Sequence, residues 1–214
     1  MIADIPAFIR ANTKILSPPH VPELRLYLAD DAVALWAMTE EQLGAIGLPP
    51  PFWAFAWAGG QALARFVLDH REIVADKSVL DVASGSGLVA IAAMKAGARS
   101  ACAADIDAFC APAARLNAEL NGVTLTTTDA DPLGAPTDAE AVLVGDLFYD
   151  RDLATRLLDW LRTLHAEGRT VLVGDPGRTY LPKHALEQVA SYEVPTPRAL
   201  EDAEVKKTGV WRLR

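Results

Sequence analysis

Two clusters of residues in this sequence have types and spacings that suit chemistry. The first lies in VLDVASGSGLVAIAAMKAGA (79–98), where an apolar run ends at Asp81 and a glycine turn leads into small residues with helical spacing. Gly85-Ser-Gly87-Leu-Val-Ala90 satisfies G-x-G-x-x-A, and Asp105 follows Gly85 by 105 − 85 = 20 residues, where a ribose-binding acid is expected. The pattern predicts a strand, a ligand-binding turn and a helix. Taken alone, it also allows a nicotinamide or flavin nucleotide.

The carboxylate of Asp81 favours a cationic ligand over a dinucleotide. It precedes the first glycine by four residues, and a carboxylate there would repel a pyrophosphate. S-adenosylmethionine carries an ammonium, a sulfonium and a ribose, so it needs carboxylates and close approach of glycine backbone. We therefore expect this cofactor to contact the turn and its surroundings, at Trp57, Asp81, Ala83, Ser84, Gly85, Gly87, Asp105, Ile106 and Asp129.

Individual roles follow from these positions. Asp105 is expected to accept hydrogen bonds from both ribose hydroxyls. Ile106 is expected to flank the adenine, and Trp57 to cover the adenosine or methionine part of the cofactor. Asp129, in TTTDAD, either accepts from the adenine amino group or forms a local turn. Asp107 is expected to cap the following helix, and Asp131 to form a turn before Pro132.

The second cluster is VGDLFYD (144–150), at the end of a predicted strand. Sites in open α/β sheets lie at the carboxyl ends of the strands, so Asp146 and Tyr149 are predicted as catalytic residues beside a methyl donor. Asp146 would orient an incoming ammonium and Tyr149 would align the amine. The alternative makes Asp146 a helix cap and Tyr149 a core residue. Residues predicted to contact the substrate are Phe148, Asp175 and Arg178, with a plain turn after the strand as the alternative for Asp175 and Arg178.

Alternating apolar and helical segments must position these residues. Strands are predicted at 78–82, 99–104, 123–127, 141–145 and 169–174, with helices at 60–70, 86–96, 107–121 and 150–166. This alternation predicts a doubly wound α/β fold with a mostly parallel sheet. Two further extended segments, SYEVPTP and VKKTGVWRLR, predict an antiparallel pair at the C-terminal edge. Together they indicate the seven-stranded, Rossmann-like sheet of class I methyltransferases.

Residues 1–50 are predicted to form an arm on a core of residues 51–214. Ile5 to Leu16 is expected to be a short helix, and LRLYLADDAVALWAM to be a β-hairpin that turns at Asp30-Asp31. The two tryptophans of PFWAFAW are either ligand contacts or core residues, and Gly59 and Gly60 are expected to let backbone approach a ligand.

Composition limits the partners. The chain of 214 residues has a formal net charge of −8 and a pI of about 5.0, which disfavours nucleic acid and anionic membranes. Two cysteines without metal spacing suggest a reducing compartment, and the four histidines are scattered, so no metal site is expected. We expect the protein to be a monomer. Because no signal-peptide pattern is present, we expect it in the cytoplasm.

Longer motifs resemble a known family. WAGGQAL, DLFYD and VGDPGR together resemble the seven-β-strand protein-lysine methyltransferases that carry Asp-x-x-Tyr after the fourth strand. The resemblance is closest to the members that act on the electron transfer flavoprotein beta subunit, and it covers most of the chain. It implies transfer of methyl groups from S-adenosylmethionine to lysine, up to trimethyllysine, with Asp146 and Tyr149 as the motif pair.

Other functions stay open from the sequence. The chain could be a methyltransferase for another protein or for a small-molecule amine. A binding module without catalysis and a nicotinamide-dependent oxidoreductase are further alternatives. The absence of prolines between Asp146 and Tyr149 disfavours the enzymes that methylate planar amino groups of bases or glutamine.

Overall fold

A seven-stranded sheet forms the centre of the protein. The computed structural model describes residues 2, 4–29, 44, 50–196 and 204–214. The sheet consists of β3 (Ser78–Val82), β4 (Ser100–Ala104), β5 (Thr126–Thr128), β6 (Ala141–Gly145), β7 (Thr170–Asp175), β8 (Leu186–Pro195) and β9 (Val205–Leu213). Its order is β5-β4-β3-β6-β7-β9-β8. The first five strands in this order are parallel, and β9 is antiparallel to both β7 and β8, which confirms the predicted fold class.

Helices cover both faces of the sheet. They are α2 (Ala58–Asp69), α3 (Leu88–Lys95), α4 (Cys110–Leu120) and α5 (Arg151–Ala166), while α1 (Ile5–Ala11) lies in the N-terminal arm and contacts α4. Successive strand residues point to opposite faces, so Leu143 packs with α2 and α3 while Val142 and Val144 pack with α5. The central parallel strands β3, β6 and β7 are buried on both faces and mostly apolar, whereas the edge strand β5 consists of three threonines.

The chain reverses its direction of travel across the sheet between β3 and β6. From β3 it moves outward through β4 to β5, then returns to place β6 on the other side of β3. The connections that follow β3 and β6 therefore diverge, and a crevice opens at the carboxyl ends of these strands. Both sequence clusters predicted to do chemistry end at this crevice.

The N-terminal arm differs from its prediction. Helix α1 ends at Ala11, and Lys14–Leu16 forms strand β1, which pairs antiparallel with β2 (Leu26–Leu28). The predicted helix over Ile5 to Leu16 is therefore wrong in its last residues, where pairing with β2 outweighs helical propensity. The first strand of the predicted hairpin exists as β2, but its described partner is β1, and the turn at Asp30-Asp31 lies outside the described residues.

A buried asparagine joins the arm to the glycine turn. The Asn117 side chain on α4 accepts from the Tyr27 backbone N–H at 2.7 Å and donates to the Ser86 carbonyl at 2.8 Å. Asn121, one turn later, bonds both the N–H and the carbonyl of Arg25.

The division of the chain at residue 50 stays a prediction. None of the helices in the described part of the chain is both long and apolar enough to cross a bilayer.

Candidate functional site

A cavity of about 450 Å³ lies at the carboxyl ends of β3, β4 and β6. Its volume is in the range of small-molecule sites. Residues from both predicted clusters line it, among them Trp57, Ala83, Gly85, Asp105, Ile106, Asp146, Tyr149 and Arg178. A smaller cavity of about 50 Å³ adjoins it and adds Asp81, Ser84 and Gly60. The structure thus brings most of the predicted site residues to one place.

Two carboxylates accept hydrogen bonds from backbone N–H groups of the glycine turn and the first turn of α3. Asp105 Oδ2 accepts from the Gly85 N–H at 2.9 Å, and Asp81 Oδ2 accepts from the Ala90 N–H at 2.9 Å. In phosphate-binding turns such amides face the phosphate. Here the protein's own acids already accept from these amides, so a pyrophosphate would find fewer free donors.

Burial changes the ionisation of Asp81. The residue is 1% exposed, and burial raises the pKa of its carboxyl to about 8 despite the bond from Ala90. A cationic group in the adjoining small cavity would favour the ionised form. This environment suits an ammonium-bearing ligand.

The two glycines of the turn have different roles. Gly85 has φ +50° and lines both cavities, and a Cβ there would make only ordinary contacts with the protein. Gly87 has φ +77°, and its Cβ would lie 2.8 Å from Ala114 Cβ. It lines neither cavity. Gly87 therefore lets α4 pack closely against the turn, and the structure does not place it at the ligand.

The residues predicted around the adenine are only partly brought together. Ile106 lines the cavity and is 73% exposed. Asp129 is exposed and does not line the cavity. Asp131, assigned to turn chemistry, does accept from the Leu133 N–H at 2.9 Å, but it also lines the cavity and pairs with Arg156 at 2.9 Å. The sequence analysis did not predict that Asp131 lines the cavity, although it considered Asp129 in the same acidic loop as a cofactor contact.

Asp107 bonds the backbone just before α4. Its Oδ1 accepts from the Phe109 N–H at 2.9 Å, but Phe109 is the N-cap of α4 and the cap has no side-chain bond, so Asp107 shapes the turn before the helix and the predicted cap is wrong. Burial raises the pKa of the Asp107 carboxyl.

Trp57 stands between the two cavities and lines both. Its indole N–H donates to the Phe52 carbonyl at 3.0 Å, which fixes the ring plane. Trp53 is 1% exposed and stacks on Phe109, so it is a core residue. Gly60 lines the small cavity, but a Cβ on Gly59 would overlap the Gly174 carbonyl. Gly59 thus serves close packing of α2 on β7.

Asp146 lies at the boundary of the two cavities and lines both. Its backbone is left-handed, with φ +58°, which aspartate tolerates better than most residues. Oδ2 accepts from the Gly60 N–H at 2.8 Å and Oδ1 accepts from Arg178 Nη2 at 2.7 Å. Burial raises the pKa of Asp146 to about 6, while the Arg178 charge opposes the rise.

Tyr149 and Phe148 point in different directions. Tyr149 is 55% exposed and lines the cavity, just before Asp150, which caps α5. Phe148 is 0% exposed and belongs to the core under α5. Its predicted contact with substrate is wrong, because its side chain packs against the sheet.

Asp175 also differs from its prediction. It is 0% exposed, and its Oδ1 accepts from the N–H groups of Gly177 and Arg178 at 2.7 Å each. It therefore shapes the loop after β7 and does not line the cavity. Arg178, from the same loop, does line the cavity.

The charges of the large cavity fit S-adenosylmethionine. Four aspartates line it, at positions 105, 107, 131 and 146, and its two arginines each pair with one of them. The surplus of carboxylates suits a cationic sulfonium and ammonium, and Asp105 suits ribose hydroxyls. Among the residues that the structure describes, no cluster of three or more histidines, cysteines or acids is arranged to hold a metal.

Comparisons with known proteins agree with this geometry. The family model described as Ribosomal protein L11 methyltransferase (PrmA) matches residues 62–146. A Xenopus laevis protein named electron transfer flavoprotein beta subunit lysine methyltransferase is 39% identical over 96% of this chain and 85% of its own length. The protein of the same name from Danio rerio is 37% identical over 98% of this chain and 83% of its own length.

A solved structure shares the fold. Magnesium protoporphyrin IX methyltransferase from Synechocystis, with bound S-adenosylmethionine, matches with a TM-score of 0.50 and 11% identity over 72% of this chain and 78% of its own. At that identity the match supports the fold alone.

Proposed function

Because this chain belongs to the family of electron transfer flavoprotein beta subunit lysine methyltransferases, we propose that it methylates lysine side chains of an electron transfer flavoprotein beta subunit, up to trimethyllysine. The chain is an S-adenosylmethionine-dependent protein-lysine methyltransferase. The substrate protein and the number of methyl groups are the proposed part. They rest on the names of the relatives and on the exposure of Tyr149, which lines the large cavity.

The chain's own residues would hold the cofactor in the two cavities. Asp105 would bind the ribose hydroxyls in the large cavity, and Asp81 would face the ammonium from the small one. Trp57, which lines both, would cover the region between them. When bound, S-adenosylmethionine supplies an electrophilic methyl group on a positively charged sulfur.

The single observation that carries the proposal is the position of Asp146, which lines both cavities. A lysine side chain arrives protonated, with an ordinary pKa of about 10.4. The Asp146 carboxylate can accept a hydrogen bond from the lysine ammonium at the junction of the cavities and so orient it. The exposed ring of Tyr149 forms the wall on the solvent side, where an aromatic face also tolerates methylated ammonium.

Ribosomal protein L11 is the second candidate substrate. The L11 methyltransferase model matches this chain over residues 62–146. That segment contains α3, the glycine turn and Asp105, and it stops at Asp146. Tyr149 and Arg178 lie beyond it, so the match supports the cofactor half of the site more than the acceptor half.

An in vitro methylation assay tests the proposal. The purified enzyme would be incubated with labelled S-adenosylmethionine and either an electron transfer flavoprotein or ribosomal protein L11, and methylated lysines would be located by mass spectrometry. We expect label on the beta subunit only, and none with Asp146→Asn. Label on L11 alone would overturn the substrate assignment while leaving the lysine methyltransferase activity intact.

We also propose that the enzyme works as a monomer in the cytoplasm and binds neither nucleic acid nor membranes. The net charge of −8 disfavours polyanions, and both cysteines are free thiols, as a reducing compartment would favour. Light scattering and cell fractionation test the first two points, and retention on heparin at low salt would contradict the third.

A further inference from the structure

A guanidinium from the loop after β7 already contacts the proposed catalytic carboxylate. Arg178 Nη2 lies 2.7 Å from Asp146 Oδ1, and the two side chains are only 21% and 10% exposed. The Arg178 Cζ atom also lies 5.7 Å from the centre of the Trp57 ring. Arg178 therefore joins two residues that line the site.

The backbone of Arg178 is fixed from below. Asp175 is 0% exposed and accepts from the N–H groups of both Gly177 and Arg178. Gly177 has φ +91°, a conformation that glycine adopts without strain. The buried acid at the end of β7 thus holds the start of the loop that carries Arg178.

The surroundings of Asp146 oppose its ionisation except at two contacts. Burial and the charge of Asp175 favour the neutral carboxyl, while Arg178 and the Gly60 N–H favour the anion. The other charged residues of the cavity are Asp105, Asp107, Asp131 and Arg156, and Arg156 is paired with Asp131. Arg178 is therefore the cation that pairs with Asp146 at the site.

We propose that Arg178 is a positioning residue for methyl transfer: its guanidinium keeps the Asp146 carboxylate anionic and in a fixed orientation, ready to receive the substrate ammonium. This inference rests on the proposed function. In the transfer, the substrate amine would lose its proton to solvent, its nitrogen would bond the cofactor's methyl carbon, and the carbon–sulfur bond would break with its electron pair staying on the departing thioether. Arg178 takes no part in these bonds and acts through Asp146.

The chemistry of the side chain explains why arginine suits this position. A guanidinium does not lose its proton in proteins, so its charge is constant across the working pH range. It is also planar and can stack on Trp57 while it donates to Asp146. A lysine there would keep the charge but would lack the planar group that lies beside Trp57.

Direct titration of Asp146 tests the inference without any substrate. The carboxyl would be followed by carbon-detected NMR in the wild type and in Arg178→Gln, Arg178→Lys and Arg156→Gln. The wild-type midpoint is expected at about 6. Arg178→Gln should raise it by at least about one unit, Arg178→Lys by less, and the control Arg156→Gln should leave it unchanged, because Arg156 pairs with Asp131.

The pH profile of kcat/KM supplies the second readout. The acidic limb should move upward with Arg178→Gln in step with the titration, and Arg178→Lys should restore most of the rate. An unmoved midpoint in both Arg178 variants would overturn the inference. So would methylation of position 178 in Arg178→Lys, since that side chain would then occupy the acceptor position itself. Failure of the wild type to methylate the flavoprotein would count against the proposed substrate only, because the titration remains readable.

Discussion

Asp105 holds the glycine turn from the neighbouring strand: its Oδ2 accepts from the Gly85 N–H at 2.9 Å, across 20 residues of sequence. Its other oxygen accepts from the Asp107 N–H at 3.0 Å. Both bonds orient the carboxylate before any ligand arrives. The acid that would bind the ribose is thus also a part of the turn.

Gly85→Ala should weaken S-adenosylmethionine binding. The new Cβ makes only ordinary contacts within the protein, so any loss of affinity beyond backbone strain reports on the cavity. Gly97→Ala is the matched control, since Gly97 also has positive φ and open space around it. Calorimetry should show at least about a tenfold loss for Gly85→Ala, or about 1.4 kcal/mol, and none for Gly97→Ala. Equal affinities would remove Gly85 from the binding site.

Gly87→Ala should lower the free energy of unfolding. The affinity of the folded protein for S-adenosylmethionine should change less. Its Cβ would lie 2.8 Å from Ala114 Cβ, so α4 must shift. Overpacking of this kind costs roughly 1–3 kcal/mol. Urea unfolding measures the cost, and Gly87→Ala combined with Ala114→Gly should recover part of it. No recovery in the double variant would contradict the packing role.

Stability should fall as pH rises from about 4 to about 8 through the titration of Asp81. The folded pKa of this carboxyl is about 8, against an ordinary value near 3.9, so between them the folded protein holds a proton that the unfolded chain has released. The slope from this group alone approaches about 1.4 kcal/mol per pH unit. Asp81→Asn keeps an acceptor for the Ala90 N–H and cannot ionise, so its unfolding free energy should depend less on pH. Identical slopes for both proteins would refute the assignment.

Asn117→Ala should reduce both stability and cofactor affinity. It removes bonds to Tyr27 of the arm and to Ser86 of the turn, and a buried polar group left unsatisfied costs about 1–3 kcal/mol. Asn121→Ala cuts bonds to Arg25 but does not touch the turn, so it should reduce stability alone. Thermal unfolding and calorimetry on both variants decide the matter. Equal affinity losses would show that the arm, and not the bond to Ser86, matters to the cofactor.

Tyr149→Phe should slow methylation less than Asp146→Asn and change the distribution of methylated forms. Burial raises the pKa of the Tyr149 hydroxyl above its ordinary value, so it acts as a neutral donor or acceptor. Loss of one such hydrogen bond costs about tenfold in rate. Tyr180→Phe, in the loop after β7, serves as the control. Mass spectrometry of the product measures the ratio of mono-, di- and trimethyllysine, and an unchanged ratio and rate would exclude Tyr149 from the acceptor site.

The sequence predicted the parts of the site that depend on strand ends. Asp105 and Asp146 follow strands whose apolar runs were clear, and parallel strands bring their carboxyl ends together. It placed both Phe148 and Tyr149 at the site, whereas only Tyr149 lines the cavity and Phe148 is buried in the core. It also could not show that Asp146 would bond the Gly60 N–H and Arg178, because these come from distant elements.

Other errors came from contacts between remote segments. Lys14–Leu16 is a strand because β2 lies beside it, and no local pattern in three residues could indicate that partner. The sequence allows Asp175 either to contact substrate or to form a turn, and its carboxylate accepts from the N–H groups of Gly177 and Arg178, as a turn requires. Gly87 matched a ligand-binding motif whose spacing is the same whether the glycine faces a ligand or a helix.

The positive φ of Asp146 constrains how this enzyme can be altered by evolution or by design. Aspartate and asparagine tolerate left-handed backbone, but β-branched and bulky residues there are strained. Few single codon changes at this position can therefore yield a folded protein with a new acceptor preference. Libraries aimed at other amines should keep position 146 and diversify Tyr149 and Leu153. These two residues line the same cavity, and neither has a positive φ.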